Sequence, residues 1–202
     1  MSKKHSRGPG FRRRPVDVRD IHQRFLIVCE GEKTEPAYFQ SFRGPHVVVR
    51  IKSANIDPAR IVETAVKQWK EQKADYDQVW CVFDRDEVTV ERFNRALELA
   101  RTRNIKIAYS NPLFELWFLL HFQDCTGPLA RQEYGSRLSQ CLGRSYAKND
   151  ADMYDRLEPH MDDAIRRAER LLDRYHPSQP FNDDPSTTVH LLVQELRRFS
   201  RP

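Results

Sequence analysis

Short apolar runs alternate with segments of helical character between residues 24 and 122. Four runs have the length and continuous apolarity of buried parallel strands, because a strand covered by helices on both faces has no polar face. They occupy residues 24–30, 46–52, 77–84 and 105–110. Each is followed by helix-start residues and apolar positions at helical spacing, at 32–42, 57–72, 89–104 and 111–122. The alternation predicts parallel βαβ units.

The predicted fold class is α/β, with a doubly wound, mainly parallel sheet and helices on both of its faces. After residue 125 the pattern changes, and only helical segments separated by polar joints remain. We therefore expect three regions along the chain. They are a disordered basic arm at 1–23, an α/β core at 24–124 and a helical extension at 125–202 that packs on the core.

Composition limits the cellular setting. No apolar run in the 202 residues approaches the roughly 18 to 20 residues that span a bilayer. The opening segment lacks the apolar stretch of a secretory signal. The four cysteines have no CxxC pair or zinc-ligand spacing, so we interpret them as reduced thiols. These features predict a cytoplasmic protein that makes no contact with a membrane.

The net charge of +5 is concentrated at the beginning of the chain. The first 20 residues contain seven Lys or Arg and two Asp, so the rest is formally neutral. Arg12, Arg13 and Arg14 are candidate contacts to a nucleic-acid backbone. A solubilising terminus explains them equally well. Lys33, beside the carboxylates described next, is a further candidate contact to nucleic acid.

Acidic side chains follow two of the predicted strands. Glu30 closes the first strand, and Asp84 and Asp86 close the third. Functional groups gather at the carboxyl ends of strands in open α/β sheets, and these two strands are neighbours in the common doubly wound orders. Clustered carboxylates need a cation, and oxygen ligands favour Mg²⁺ or Mn²⁺. The sequence predicts a divalent-metal site with these three side chains as catalytic ligands.

Residues next to Glu30 extend this hypothesis. Gly31 allows a tight turn with no side chain in the path of a phosphate. Glu35 is a further candidate ligand and Glu32 a supporting carboxylate, which allows for a second ion. Two ions about 3.5 to 4 Å apart would activate water and stabilise the leaving oxygen in phosphodiester hydrolysis.

Supporting residues come from later segments. Asn111 and Glu115 begin the predicted fourth helix, where a buried glutamate is costly unless it is paired or metal-linked. Tyr146 and Lys148 lie in a polar joint that could fold over the carboxylates. A lysine there would stabilise negative charge on a phosphate, and a solvated loop is the competing interpretation. We interpret His121 as a hydrogen-bonded core residue.

Two motifs, FLIVCEGEKTEPAYF and VWCVFDRDE, are similar to the Toprim fold of topoisomerases, primases and OLD-type nucleases. With AYSNPLFELWFLLHF and PSTTVHLLVQEL, they make residues 24–199 resemble the RloB family. The resemblance implies a Toprim-like fold and magnesium ligation by Glu30, Asp84 and Asp86. It also implies a nuclease in bacterial anti-phage defence by abortive infection, encoded near an AAA- or ABC-type ATPase partner. The substrate could be RNA, including tRNA, or DNA, and the chain could form a homo-oligomer.

Two other functions fit parts of the sequence. The segment DRDEV at 84–88 loosely fits the nucleophile motif of haloacid-dehalogenase-type phosphatases, although that motif normally closes the first strand and leaves Glu30 without a role. A non-catalytic regulatory or nucleic-acid-binding subunit of a defence ATPase complex is the second alternative. DNA strand passage is not expected, because topoisomerase-type members carry further small and acidic residues after the DxD and the chain is short.

Overall fold

The computed structural model describes residues 23–42, 44, 47–53, 57–72, 75–86 and 88–200. The predicted basic arm, with Arg12, Arg13 and Arg14, lies outside the described residues except for Gln23. In the part of the chain that is described, no helix is both long and apolar enough to span a bilayer.

A five-stranded sheet organises the fold. Its strands are β1 (Gln23–Cys29), β2 (Val47–Ser53), β3 (Gln78–Asp84), β4 (Lys106–Asn111) and β5 (Ser186–Thr187). They lie in the order β2-β1-β3-β4-β5, and only the β4–β5 pairing among the described strands is antiparallel. The prediction of an α/β fold with a mainly parallel sheet is therefore confirmed, and β1 and β3 are neighbours as expected.

Successive side chains of β1 enter two different cores, as the strand period of two requires. Phe25, Ile27 and Cys29 pack in the larger core, and Leu26 and Val28 pack in the smaller one. All five are fully buried, which explains why the strand reads as a continuous apolar run.

Helices cover both faces of the sheet. The smaller core is closed by α2 (Pro58–Glu71) and α3 (Val90–Arg103). The larger core is closed by α1 (Thr34–Gln40), α4 (Glu115–Leu119), α5 (Arg131–Leu142), α6 (Met153–Leu157), α7 (Met161–Leu172) and α8 (Val189–Ser200). Side-chain caps begin α2 and α3, where Asp57 accepts from the Ala59 N–H and Thr89 accepts from the Arg92 N–H.

The fourth predicted helix, at 111–122, is wrong in extent. The structure keeps only Glu115–Leu119 as α4, and Asn111 is the last residue of β4. A residue before proline is disfavoured in helical conformation, so Asn111 extends the strand and Pro112 lies in the turn that follows. Within the region after residue 125, a 3₁₀ turn at Glu158–His160 separates α6 from α7.

The region at 125–202 is not purely helical, which corrects the prediction of a helical extension. Its short strand β5 pairs with β4, with Thr187 opposite Ser110 and Ser186 opposite Asn111. The Ser110 and Thr187 hydroxyls are 3.1 Å apart and join the two strands through buried side chains. A two-residue strand carries too little periodicity to be recognised in a sequence. The extension thus completes the sheet as well as covering it.

Candidate functional site

An open cleft of about 480 Å³ lies at the carboxyl ends of β1 and β3. Parallel strands bring these ends to one edge of the sheet, which is where ligand sites form in open α/β folds. Seven carboxylates and four cationic side chains line the cleft among the described residues. The cations are Lys33, Arg92, Arg131 and Lys148. The cleft is therefore formally negative.

Glu30 and Asp84 meet directly across the β1–β3 pairing. The Glu30 N–H donates to the carbonyl of Val82 at 2.9 Å and continues the ladder one residue beyond β1. The Glu30 carboxylate then turns back and accepts from the Asp84 N–H at 3.0 Å between Oε2 and N. Two residues 54 positions apart are thus fixed side by side by the sheet register.

Asp84 has an unusual environment for a carboxylate. Its Oδ2 accepts from the Phe114 N–H at 3.1 Å, and its Oδ1 is buried with no hydrogen-bond partner among the described residues. Burial raises the pKa of Asp84 well above its usual range, and the negative charges of Glu35, Glu30 and Glu115 raise it further. A buried acceptor without a donor is costly, so this oxygen is a natural position for a cation or a proton.

Glu35 occupies the space that Gly31 leaves open. Its Oε1 accepts from the Gly31 N–H at 3.2 Å, and a Cβ built on Gly31 would lie 2.2 Å from its Oε2. Glu35 is buried, and burial raises its pKa, with Glu115 adding to the effect. The glycine therefore makes room for a carboxylate of the protein itself, whereas the sequence hypothesis gave that space to a phosphate.

Glu115 begins α4 and is held by the loop that precedes α6. The Tyr146 hydroxyl donates to Glu115 Oε1 at 3.0 Å, and the Lys148 ammonium lies 3.7 Å from the same oxygen. The Thr34 hydroxyl donates to the Lys148 carbonyl at 3.0 Å and ties this loop to α1. The loop thus lies over the carboxylates and brings Lys148 to the cleft.

Asp86 lines the cleft as a partly exposed member of an ion pair. Its Oδ2 accepts from the guanidinium of Arg131, the first residue of α5. Its N–H donates to the Pro112 carbonyl at 3.0 Å, which fixes the backbone of the turn after β3. The two aspartates of the DxD therefore have different surroundings, one buried and one at the rim.

The described residues contain no group of three His, Cys, Asp or Glu side chains arranged to hold a metal ion as they stand. The donor chemistry nevertheless fits a hard cation, because the cleft offers carboxylate oxygens and the buried Asp84 Oδ1 has no described donor. The residues fit such an ion by type, and their side chains would have to adjust to coordinate it.

The remaining candidates divide between the rim and the core. Glu32 and Lys33 line the cleft as exposed side chains. Asn111 is not among the described residues that line it, because its amide donates at 3.0 to 3.2 Å to carbonyls of residues 180–183. It anchors that loop, and its supporting role at the site stays a prediction. His121 is buried against the Trp117 carbonyl, and burial lowers its pKa to about 3.

Three charged cleft residues, Asp57, Arg92 and Arg131, were not identified as site residues from the sequence. Arg92 lies in the first turn of α3, and Arg131 comes from α5, 45 positions after its partner Asp86. The local pattern gave no signal for Arg131. Arg92 could have been suspected from its position soon after the DxD, at the start of the helix that follows β3.

The chain was compared with family models, curated proteins and solved structures. The family model described as RloB-like protein matches residues 25–196, which is most of the chain. No curated protein and no solved structure matches the chain. The matched range includes the strand ends that form the cleft. The chain belongs to the RloB-like family.

Proposed function

We propose that this protein hydrolyses phosphodiester bonds of nucleic acids with the help of Mg²⁺ or Mn²⁺. The observation that supports this most strongly is the buried Asp84 Oδ1, which has no described partner and lies among Glu30, Glu35 and Glu115. Like charges kept together at a strand edge are unfavourable without a cation. Such arrangements are retained where they serve a function.

Five cleft residues have a role in this proposal. Glu30, Glu35 and Asp84 would hold the ion, with Asp86 as a further ligand once it leaves Arg131. When bound, the ion would activate water and stabilise the leaving oxygen of the phosphodiester. The backbone N–H of Asp84 keeps the Glu30 carboxylate in place. Lys148 would stabilise negative charge that develops on the phosphate, as a fixed cation at the mouth of the site.

The biological setting is a proposal at the level of the family. The resemblance to Toprim nucleases and to RloB proteins of restriction and anti-phage loci supports a role in abortive infection. On the same ground, we propose that a neighbouring AAA- or ABC-type ATPase controls the activity. The acidic cleft is compatible with such control, because Arg131 forms an ion pair with Asp86. Arg131 would have to be displaced before Asp86 could bind the ion.

One observation favours a second function. The described carboxylates are not arranged for metal binding as they stand, and Asp86 is neutralised by Arg131. A regulatory or nucleic-acid-binding subunit of an ATPase complex would need no metal ligation at all. The two functions differ in whether the cleft binds a divalent ion through Asp84.

A cleavage screen tests the nuclease proposal. Purified protein, with and without its ATPase, would be incubated with total RNA, tRNA and plasmid DNA in Mg²⁺, Mn²⁺ or EDTA. We expect metal-dependent cutting of at least one substrate. Asp84→Asn and Glu30→Gln should each lower the rate by about a thousandfold, because a metal ligand contributes several kcal/mol to the transition state.

The matched control is Asp155→Asn, which removes an exposed carboxylate of α6 that does not line the cleft among the described residues. It should cut at the wild-type rate. Cutting at wild-type rates by both cleft variants would contradict the proposal. An absence of cutting in every arm, with folded protein and ATPase present, would favour the regulatory function.

A further inference from the structure

A second groove lies between α7 and the turn at residues 124–126. Three arginines, Arg167, Arg170 and Arg174, line it together with one carboxylate, Asp124, and its volume is about 390 Å³. The arginines are three and four residues apart, so they lie on one side of α7 and its continuation. The lining has a formal excess of two positive charges, opposite in sign to the cleft.

Backbone carbonyls orient two of these arginines. Arg167 donates to the carbonyls of Leu120 and His121 at 2.7 and 2.9 Å. Arg174 donates to the carbonyl of Thr126 at 2.9 Å. A carbonyl oxygen fixes the direction of a guanidinium and carries no net charge, and each guanidinium has five N–H donors. Both side chains therefore keep their full charge and have donors to spare for an anion.

The third arginine is paired, but only at the surface. Arg170 lies 2.8 Å from Asp124, and these side chains are 58% and 59% exposed. Such a pair is weak and exchanges readily with another anion. On the neighbouring surface of the same helix, Arg166 forms an ion pair with Asp163 within one turn of α7. That pair does not line the arginine groove among the described residues.

The groove lies on the same molecule as a negatively charged cleft, and its positive charge would compensate for that cleft. The cleft lining contains seven carboxylates against four cations, so the cleft by itself repels a polyanion. The two sites lie at opposite ends of α4, since Glu115 begins this helix and residues 124–126 follow its end. The five residues of α4 extend about 8 Å, and the five residues after Leu119, up to Asp124, span at most about 18 Å. Backbone phosphates advance about 3.4 Å per nucleotide in a duplex, so about eight nucleotides would suffice to reach from one site to the other.

We infer that the arginine groove, formed by Arg167, Arg170 and Arg174, binds the phosphate backbone of a nucleic-acid strand. This inference rests on the proposed function for the identity of the ligand, and it concerns binding and not cutting. Guanidinium groups form paired hydrogen bonds with phosphate oxygens, and the carbonyl contacts hold them ready to do so. The groove would hold the strand while the carboxylates act on it nearby.

Fluorescence anisotropy with labelled single-stranded RNA and DNA, in EDTA and over a series of NaCl concentrations, tests the inference on the full chain. The variant Arg170→Gln with Arg174→Gln should raise the Kd at least about tenfold, which corresponds to about 1.4 kcal/mol, since it removes two charged donors to phosphate oxygens. The slope of log Kd against log salt should fall by about one for each lost phosphate contact.

The matched control is Arg166→Gln with Arg198→Gln, which removes the same charge from two exposed arginines outside the groove lining. It should leave the Kd within about twofold of the wild type at physiological salt. Salt screens the attraction between the nucleic acid and exposed charges that do not contact it. The basic first 20 residues are the same in every variant, so their contribution cancels. Equal weakening by both double variants, or no weakening by either, would overturn the inference.

A second variant acts in the opposite direction. Asp124→Asn removes the carboxylate that competes for Arg170, so it should tighten binding, an outcome that a loss of folding cannot produce. Unchanged binding by this variant would count against the groove. Because EDTA prevents metal-dependent cutting, the result is independent of the nuclease proposal. If the groove variants weaken binding but the cleavage screen shows no cutting, the groove inference holds and the nuclease proposal fails. If the protein cuts but the groove variants bind normally, the nuclease proposal holds and the groove inference fails.

Discussion

Carboxylates of the cleft and carboxylates of the α7 surface are accommodated in different ways. On α7, Asp163 is paired with Arg166, and the two side chains are 45% and 61% exposed. In the cleft, Asp84 and Glu35 are held by backbone N–H groups, and burial and neighbouring negative charges raise the pKa of both. The surface arrangement satisfies each charge at little cost. The cleft arrangement keeps several charges close together at a cost in stability, which is typical of a functional site.

The largest change is expected where the cleft is most tightly packed. Gly31→Ala would place a Cβ 2.2 Å from Glu35 Oε2, and overpacking of this kind costs about 1 kcal/mol where, as here, the end of a flexible side chain can move away. Glu35 would be displaced from the buried carboxylates of the cleft. The cleft would then differ less from the α7 surface in how closely its carboxylates are packed. Urea denaturation of the wild type and the variant measures the free energy of unfolding.

Two controls identify the cause. Gly127→Ala should leave stability nearly unchanged, because a Cβ there meets no described atom within 4 Å. The double variant Gly31→Ala with Glu35→Ala should recover most of the loss, since the clashing carboxylate is gone. A double variant as unstable as Gly31→Ala alone would show that the close approach of Glu35 is not the cause.

A smaller effect is expected from Asp84→Asn, and it depends on pH. A carboxyl whose pKa is raised by folding stabilises the protein below its unfolded pKa of about 4, and this stability is lost as the pH rises through its folded pKa. The side chain in the Asp84→Asn variant does not ionise, so the variant does not lose this stability as the pH rises. The metal-free variant should therefore have a Tm a few degrees higher than the wild type at pH 8, and the difference should vanish near pH 4.

Asp163→Asn is the surface counterpart of this experiment. It removes one member of an exposed ion pair, so stability should change by less than about 0.5 kcal/mol at both pH values. A wild-type protein that is more stable than Asp84→Asn at pH 8 would show that the cleft carboxylate is compensated, and the contrast between the two regions would not hold.

The sequence predicted those parts of the site that depend on local pattern. Apolar runs ending in Glu30 and Asp84 were sufficient to place both side chains at one edge of a parallel sheet, where the structure joins them. The sequence did not predict the contacts between segments that are far apart along the chain. The pairing of Arg131 with Asp86 depends on how α5 packs, and the Asn111 amide is used by carbonyls about 70 residues later.

Some errors came from treating local signals as sufficient. A run of apolar residues after Pro112 favoured one long helix at 111–122, but Asn111 ends β4, a turn follows at 112–114, and α4 ends at Leu119. The role of Gly31 was missed for a similar reason, since the sequence shows the absence of a side chain and not what fills the space. Only the packed structure shows that Glu35 fills it.

Calorimetric titration of Mn²⁺ into the metal-free protein near neutral pH tests the central claim most directly. We predict saturable binding to the wild type that releases protons, because carboxyl groups with raised pKa values must ionise to become ligands. Buffers with different ionisation enthalpies measure the protons released. Asp84→Asn should bind at least about tenfold more weakly, and Asp163→Asn should bind as the wild type does. Equal binding by Asp84→Asn and the wild type, or no saturable binding by either, would contradict the claim that the cleft is a divalent-metal site.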